Sequence, residues 1–240
     1  MDILLAAATS FEIQPTTDFL RQDPLKRLSG RHAPVPGPHS VSTLITGVGS
    51  TATTWSLMRQ IDRHPPDLII QAGIAGCFTG SPPGEVLVVE EEVLADLGVW
   101  EDHRFKTLFD LKLTDPDTPP FSAGRLINPY RKLLHLTALE PVRSATVNEI
   151  TTDPDRIRWH QQNTAAVVEG MEGGALHYVC LQEKIAFLQL RSVSNDVGVR
   201  DKTKWDIRSA LSRLNEELIR LLERLNKQDH SILEPTNQSQ

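Results

Sequence analysis

The chain has 240 residues, enough for one α/β domain with a large core and too few for two full-sized ones. Its formal charge of -6 comes from 25 basic and 31 acidic residues mixed along the whole length, so no basic stripe is offered to nucleic acid or to an anionic membrane surface. Small molecules are the expected partners, with no nucleic acid and no membrane, since no stretch approaches the roughly 20 apolar residues of a membrane helix.

In chain order, residues 3–8 (ILLAAA) read as a buried first strand. Asp2 precedes them where a signal peptide would carry Lys or Arg, so a cytoplasmic protein is expected. Aliphatic runs at 41–46, 68–72 and 85–89 are further strands, with a helix at 51–63. Helices are expected at 129–139 and 154–162, the second started by Asp153 as N-cap with Pro154 in its first turn. A strand at 165–168, a helix at 171–184 and a strand at 185–194 come next. In the last helix, Ile207, Leu211, Leu214, Leu218, Leu221, Leu222 and Leu225 recur every three or four residues, the stripe of a helix laid on a core. Pro-rich stretches at 24–38 and 116–120 read as surface loops, residues 1–227 as a single domain, and 228–240 as a polar, frayed tail. Most strands are apolar on both faces and alternate with helices. This predicts an α/β fold, a three-layer αβα sandwich around a central mixed, mainly parallel sheet. Cys77 and Cys180 sit far apart in apolar or Gly-rich stretches and read as small buried hydrophobes.

Ligands of open α/β sheets collect at the carboxyl ends of strands, so the residues just beyond each apolar run are the candidates for a site. Glu12 comes after the first strand, Gly47-Val48-Gly49 after the second and Gly73-Ile74-Ala75-Gly76 after the third; Met171-Glu172 and Ser194-Asn195-Asp196 lie near the last ones. Gly47-Val48-Gly49 is half of a dinucleotide fingerprint without its third glycine, so no cofactor is expected. Gly73 and Ile74 would let backbone approach a ligand, or form a plain turn. Glu172 opens an apolar helix, where a carboxylate could serve chemistry or merely offset the helix dipole. Ser194, Asn195 and Asp196 put three hydrogen-bonding side chains at the end of an apolar strand, a costly choice unless something binds there. The eight histidines are dispersed and no cysteine cluster joins them, so no metal is expected. No G-x-S-x-G elbow is present.

In their order, LLAAATSFE, TGVGS, QAGIAG, GEVLVVEEEVLADLG, ATVNEIT, VVEGMEGGAL and RSVSND resemble the nucleoside phosphorylase superfamily. The resemblance is to its branch of phosphate-independent nucleosidases, which includes methylthioadenosine/S-adenosylhomocysteine nucleosidases and futalosine hydrolases, and it runs from Ile3 to about Leu225. It implies cleavage of a purine–ribose bond by water, in a homodimer or larger homo-oligomer. Glu12 would activate the water, Met171 and Glu172 would contact the ribose hydroxyls, and Val147 and Ile150 would line the base pocket, where the family often has an aromatic ring. Asn195 stands where adenine-specific members carry an aspartic acid. An amide cannot protonate a base, but its NH2 can donate to the acceptors of a 6-oxopurine such as hypoxanthine. Asp196 is the second candidate, although strand alternation points it to the opposite face.

Phosphorylase relatives carry an arginine and a hydroxyl where this chain has Gln71 and Ile74, so water rather than phosphate is the implied nucleophile. LADLGVWEDHRF is more similar to futalosine hydrolases than to the adenine-specific branch. For an anionic group at the ribose 5′ position, Arg200, Lys202 and Lys204 are candidates by proximity alone. The alternatives are an adenine-type nucleosidase, a phosphorylase with its phosphate ligands elsewhere, and a purine-nucleoside binding module in which Glu12 and Glu172 are only structural.

Overall fold

The structure, a computed structural model, describes residues 1–22, 33–34, 39–102 and 104–236. Its frame is a mixed sheet. β1 (Asp2–Ala7) pairs in parallel with both β3 (Ser40–Ile45) and β4 (Leu68–Cys77), and β2 (Ala33–Pro34) adds an antiparallel edge to β3. On the other side of β4, β11 (Ala186–Asp196) runs parallel to it and antiparallel to β5 (Val86–Leu94). The sheet continues in parallel through β9 (Pro141–Thr146) to β10 (Val168–Gly170), and β8 (Leu126–Ile127) pairs antiparallel with β5. β10 then turns back to pair antiparallel with β4, so that β4, β11, β5, β9 and β10 close a ring. The mixed sheet agrees with the sequence; the ring goes beyond it, because it depends on the short non-local pairing of Val168 and Glu169 with Cys77 and Gly76.

The central strands are buried along nearly their whole length, from Ile3 to Ala7 and from Ala186 to Ser194, which is why they read as continuous apolar runs. Among the helices, α1 (Ser10–Gln22) packs on α6 (Ile207–Leu225), and α2 (Ser50–Arg63) packs on α5 (Gly173–Glu183). Leu214, Leu218, Leu221, Leu222 and Leu225 of α6 are buried in one cluster with the β1, β4 and β11 side chains. α4 (Pro154–Asn163) starts where its signal lies, with the Asp153 carboxylate accepting from the backbone N–H groups of Asp155 and Arg156. α3 (Arg131–Thr137) precedes β9, and a separate hairpin joins β6 (Gly98–Glu101) to β7 (Arg104–Thr107). Cys77 and Cys180 are buried free thiols. Among the described residues no helix is long and apolar enough to cross a membrane.

Several expectations change. α1, absent from the sequence reading, carries Pro15 in its interior, at the cost of one backbone hydrogen bond. The strand expected at 165–168 begins only at Val168, because Ala165 adopts a left-handed conformation (φ 52) that places a turn there. β9 falls where no strand is expected. Apart from Ala33–Pro34, the Pro-rich stretch 24–38 lies largely outside the described residues. The tail expected to fray is anchored through residue 236. It forms a 3-10 turn over His230–Leu233 capped by Asp229, Lys132 Nζ reaches the Ser231 carbonyl and Glu234, and the Thr236 N–H donates to the Pro129 carbonyl. The last four residues lie outside the described part.

Candidate active site

The carboxyl ends of β1, β4, β10 and β11 surround a cavity of about 260 Å³. Glu12, Ile74, Ile150, Met171, Glu172, Ser194 and Asn195 all line it. Glu12, in the first turn of α1, is buried with both carboxylate oxygens oriented. Oε2 accepts from the Thr9 backbone N–H (2.9 Å) and hydroxyl (2.8 Å), and Oε1 accepts from the Ile74 N–H at 3.2 Å. Gly73 shapes this corner by lacking a side chain, since a Cβ there would lie 2.8 Å from Glu12 Oε1 and 2.4 Å from Arg191 Nη1.

Glu172 caps α5 without a side-chain bond to its own helix. Its Oε1 instead accepts from the Gly49 N–H at 3.0 Å, and its Oε2 faces Arg191 Nη2 at 3.4 Å. Beside it the Ser50 hydroxyl donates to the Met171 carbonyl. The Gly47-Val48-Gly49 turn therefore anchors Met171-Glu172 to the start of α2. Compensation of the α5 dipole is not what holds this carboxylate.

Arg191 is absent from the sequence candidates. It is only 2% exposed, and its Nη2 also donates to Gln71 Oε1 at 3.1 Å. A buried arginine is rare without partners. The signal was available in the alternation of Gln189 and Arg191 within an apolar run, which puts two polar side chains on one face of the strand. Behind Glu172 lies a further buried carboxylate, Glu92. It accepts from Gln189 Nε2 (2.8 Å) and the Thr146 hydroxyl (2.9 Å), and that hydroxyl oxygen accepts from the Gly174 N–H at 2.7 Å. Burial raises the Glu92 pKa, against these hydrogen bonds and the charge of Arg191. The network fixes the first turn of α5 and with it Met171-Glu172.

At the other end of the cavity, a register shift between Val193 and Asn195 aligns Asn195 with Gly76 of β4. The Ser194 hydroxyl lies 2.7 Å from Asn195 Oδ1 as donor, and Asn195 Nδ2 donates to the Asp196 carbonyl at 2.9 Å. With its oxygen facing that hydroxyl, the amide keeps one Nδ2 hydrogen for a ligand. Asp196 is exposed and does not line the cavity, as alternation requires. Val147 is also outside it. It packs with Phe78, Ala145 and Ala166 and lines a neighbouring cavity of about 190 Å³ with Trp100, Trp159 and His160. The aromatic rings that the sequence did not place are Phe11 and Trp205, both lining the main cavity. The Trp205 indole N–H donates to the Val199 carbonyl at 2.7 Å, and the Arg200 guanidinium lies 5.5 Å from the Trp205 ring centroid. Arg200 lines the cavity; Lys202 and Lys204 are exposed and do not.

A buried carboxylate facing a sugar-sized space, a carboxylate–arginine pair beside it and an amide at the far end form a site for N-glycosyl chemistry. Residues 35–227 match the model of the phosphorylase superfamily, and the chain belongs to that superfamily. Within it, the chain is 31% identical to the futalosine hydrolase of Thermus thermophilus over 189 residues, which cover 75% of this chain and 80% of that enzyme. It is 32% identical to the futalosine hydrolase of Acidothermus cellulolyticus over 71% of this chain and 70% of that enzyme. The fold is shared with the futalosine hydrolase of Helicobacter pylori, with a TM-score of 0.76 and 17% identity over 93% of this chain and 97% of that one.

Proposed function

We propose that this chain hydrolyses the N-glycosidic bond of futalosine, releasing hypoxanthine and dehypoxanthine futalosine, a step of menaquinone biosynthesis. The observation that carries the reading is one cavity with an oriented carboxylate, Glu12, at one end and an amide donor, Asn195, at the other. Breaking the bond builds positive charge on the ribose and negative charge on the departing base. Glu12 takes a proton from the attacking water and its charge stabilises the ribosyl cation. Glu172, held by Gly49 and Arg191, accepts from the ribose hydroxyls, and Met171 packs on the sugar. Asn195 donates to an acceptor of the 6-oxopurine, while Ile150 and Gly76 line the base end.

Water is favoured over phosphate because the anion-attracting groups are already engaged: the Ile74 N–H donates to Glu12, and Arg191 faces Glu172. Arg200 over Trp205 suits the aromatic carboxylate of the futalosine 5′ substituent. The exposed Ile45, Val48, Trp55 and Met58 succeed one another through β3 and α2, and Val48 lines the cavity. This apolar surface supports a homodimer or larger homo-oligomer whose interface runs beside the site. Incubating futalosine, inosine, adenosine and methylthioadenosine with and without phosphate tests the proposal. It expects hypoxanthine from futalosine as the fastest reaction and no dependence on phosphate; ribose 1-phosphate products would refute it.

A further inference from the structure

Departure of the base needs a proton, and none of the groups placed so far supplies it. Asn195 can hydrogen-bond the departing base, but an amide does not give up a proton near neutral pH, and a purine leaving as an anion must gain one. A third carboxyl group, besides Glu12 and Glu172, lines the same cavity. Glu169 of β10 is 7% exposed; its Oε1 accepts from the Thr151 N–H at 3.1 Å, and its Oε2 is buried with no hydrogen-bond partner. An orphaned oxygen of this kind is costly unless a ligand meets it.

The register places this group opposite Asn195. Gly76 of β4 pairs with Glu169 on one side and with Asn195 on the other. Residues in register on neighbouring strands project to the same face, and two strand spacings separate Glu169 from Asn195 by about 10 Å between Cα atoms. A Cβ on the glycine between them would lie 3.0 Å from Val197 Cγ2, and Val197 lines the cavity together with Glu169 and Asn195. A planar base resting on Val197 can turn one hydrogen-bonding edge toward the carboxyl group and another toward the amide. None of the ion pairs among the described residues includes Glu169, and the charge that acts on it is the carboxylate of Asp96. Burial foremost, and Asp96 in addition, raise the Glu169 pKa, while its bonds to Thr151 act in the opposite sense. These surroundings favour the neutral acid.

We infer that Glu169 is the proton donor to the leaving 6-oxopurine, facing Asn195 across Gly76. The inference rests on the futalosine reading and assigns its missing step. As the C1′–N9 bond breaks, its electron pair passes to the base and the Glu169 carboxyl proton moves to a ring nitrogen. Water delivers hydroxide to C1′ and its other proton to Glu12. Turnover leaves Glu169 ionised and Glu12 protonated, and proton exchange through solvent restores both.

Glu169→Gln keeps the shape and an oxygen for the Thr151 N–H while removing the acid. Steady-state hydrolysis of futalosine by the full chain should show kcat reduced by about 100-fold or more with KM little changed. Ribosides whose leaving group needs no proton, p-nitrophenyl riboside and N7-methylated futalosine, should lose far less. An unchanged kcat, a loss carried by KM, or equal losses on both classes of substrate would overturn the assignment. If the Gln variant does not fold, Glu169→Asp decides by the same comparison, because an acid set back by one methylene must lose more on futalosine than on the activated ribosides. Wild-type protein that releases no hypoxanthine from futalosine overturns the functional reading and this role with it. Wild-type protein that does, matched in kcat by Glu169→Gln, overturns the proton donor alone.

Discussion

Replacing Arg191 by methionine keeps most of the volume and removes the charge that faces Glu172. The two groups are 3.4 Å apart, with side chains 2% and 8% exposed. At that separation Coulomb attraction amounts to about 5 kcal/mol for an effective dielectric of about 20, and desolvation of both ions offsets a large part of it. Removing one partner leaves the other charge buried and unpaired, so Arg191→Met should cost about 3–5 kcal/mol of folding stability, with the Gln71 carbonyl oxygen also stranded. Glu172→Gln alone strands the guanidinium in turn. The double variant strands neither charge, and its cost should fall short of the sum by about 1–3 kcal/mol. Urea unfolding followed by circular dichroism measures all four corners of the cycle. Single-variant costs that add to within about 0.5 kcal/mol would refute the coupling and with it the account of how Glu172 is held.

Glu12→Gln should nearly abolish turnover while leaving substrate binding largely intact, measured by kcat against ligand affinity; equal losses in both would remove Glu12 from the chemistry. Asn195→Asp should move preference toward 6-aminopurines, and an unchanged ratio of adenine to hypoxanthine release would mean that the residue does not read the base. Gly173→Ala should destabilise by about 1–3 kcal/mol, because its Cβ would lie 1.9 Å from Glu92 Oε1 and 2.2 Å from Gln189 Nε2. Helix propensity alone gives the opposite sign, a gain of about 1 kcal/mol, so a raised Tm would contradict the buried network. Burial lowers the pKa of His160 from 6.5 to about 4, so the folded protein keeps it neutral while the unfolded chain takes up a proton. The associated stability is complete above pH 6.5 and is lost as pH falls toward 4, by up to about 3 kcal/mol. His160→Phe should show a smaller loss of stability than wild type between about pH 7 and about pH 4.5. Glu92 and Glu169 titrate in the opposite sense but are common to both proteins, so equal acid sensitivity would contradict the reading.

What could be read from the sequence was what is local. β1, β4 and β11 are apolar along most of their length, α6 has its leucine stripe, and α4 has Asp153 before Pro154. Glu12, Glu172 and Asn195 could be singled out because each is a polar residue at the end of an apolar element. The rest depends on contacts far apart in the chain. Ring closure requires Glu169 to meet Gly76, and Glu172 depends on Arg191 and on Gly49, 123 residues away. Val147 lies in a strand-end segment that lines two neighbouring cavities, and only the fold shows that it faces the one away from Glu12. The rings of Phe11 and Trp205 reach the cavity from α1 and from the segment before α6, which no motif at 147–150 could indicate.

The central claim is cleavage of a 6-oxopurine nucleoside by water. It is tested most directly by comparing kcat/KM for hypoxanthine release from futalosine with that for adenine release from methylthioadenosine, in phosphate-free buffer. The account predicts a clear preference for futalosine that added phosphate leaves unchanged. Hypoxanthine released no faster than adenine would contradict it.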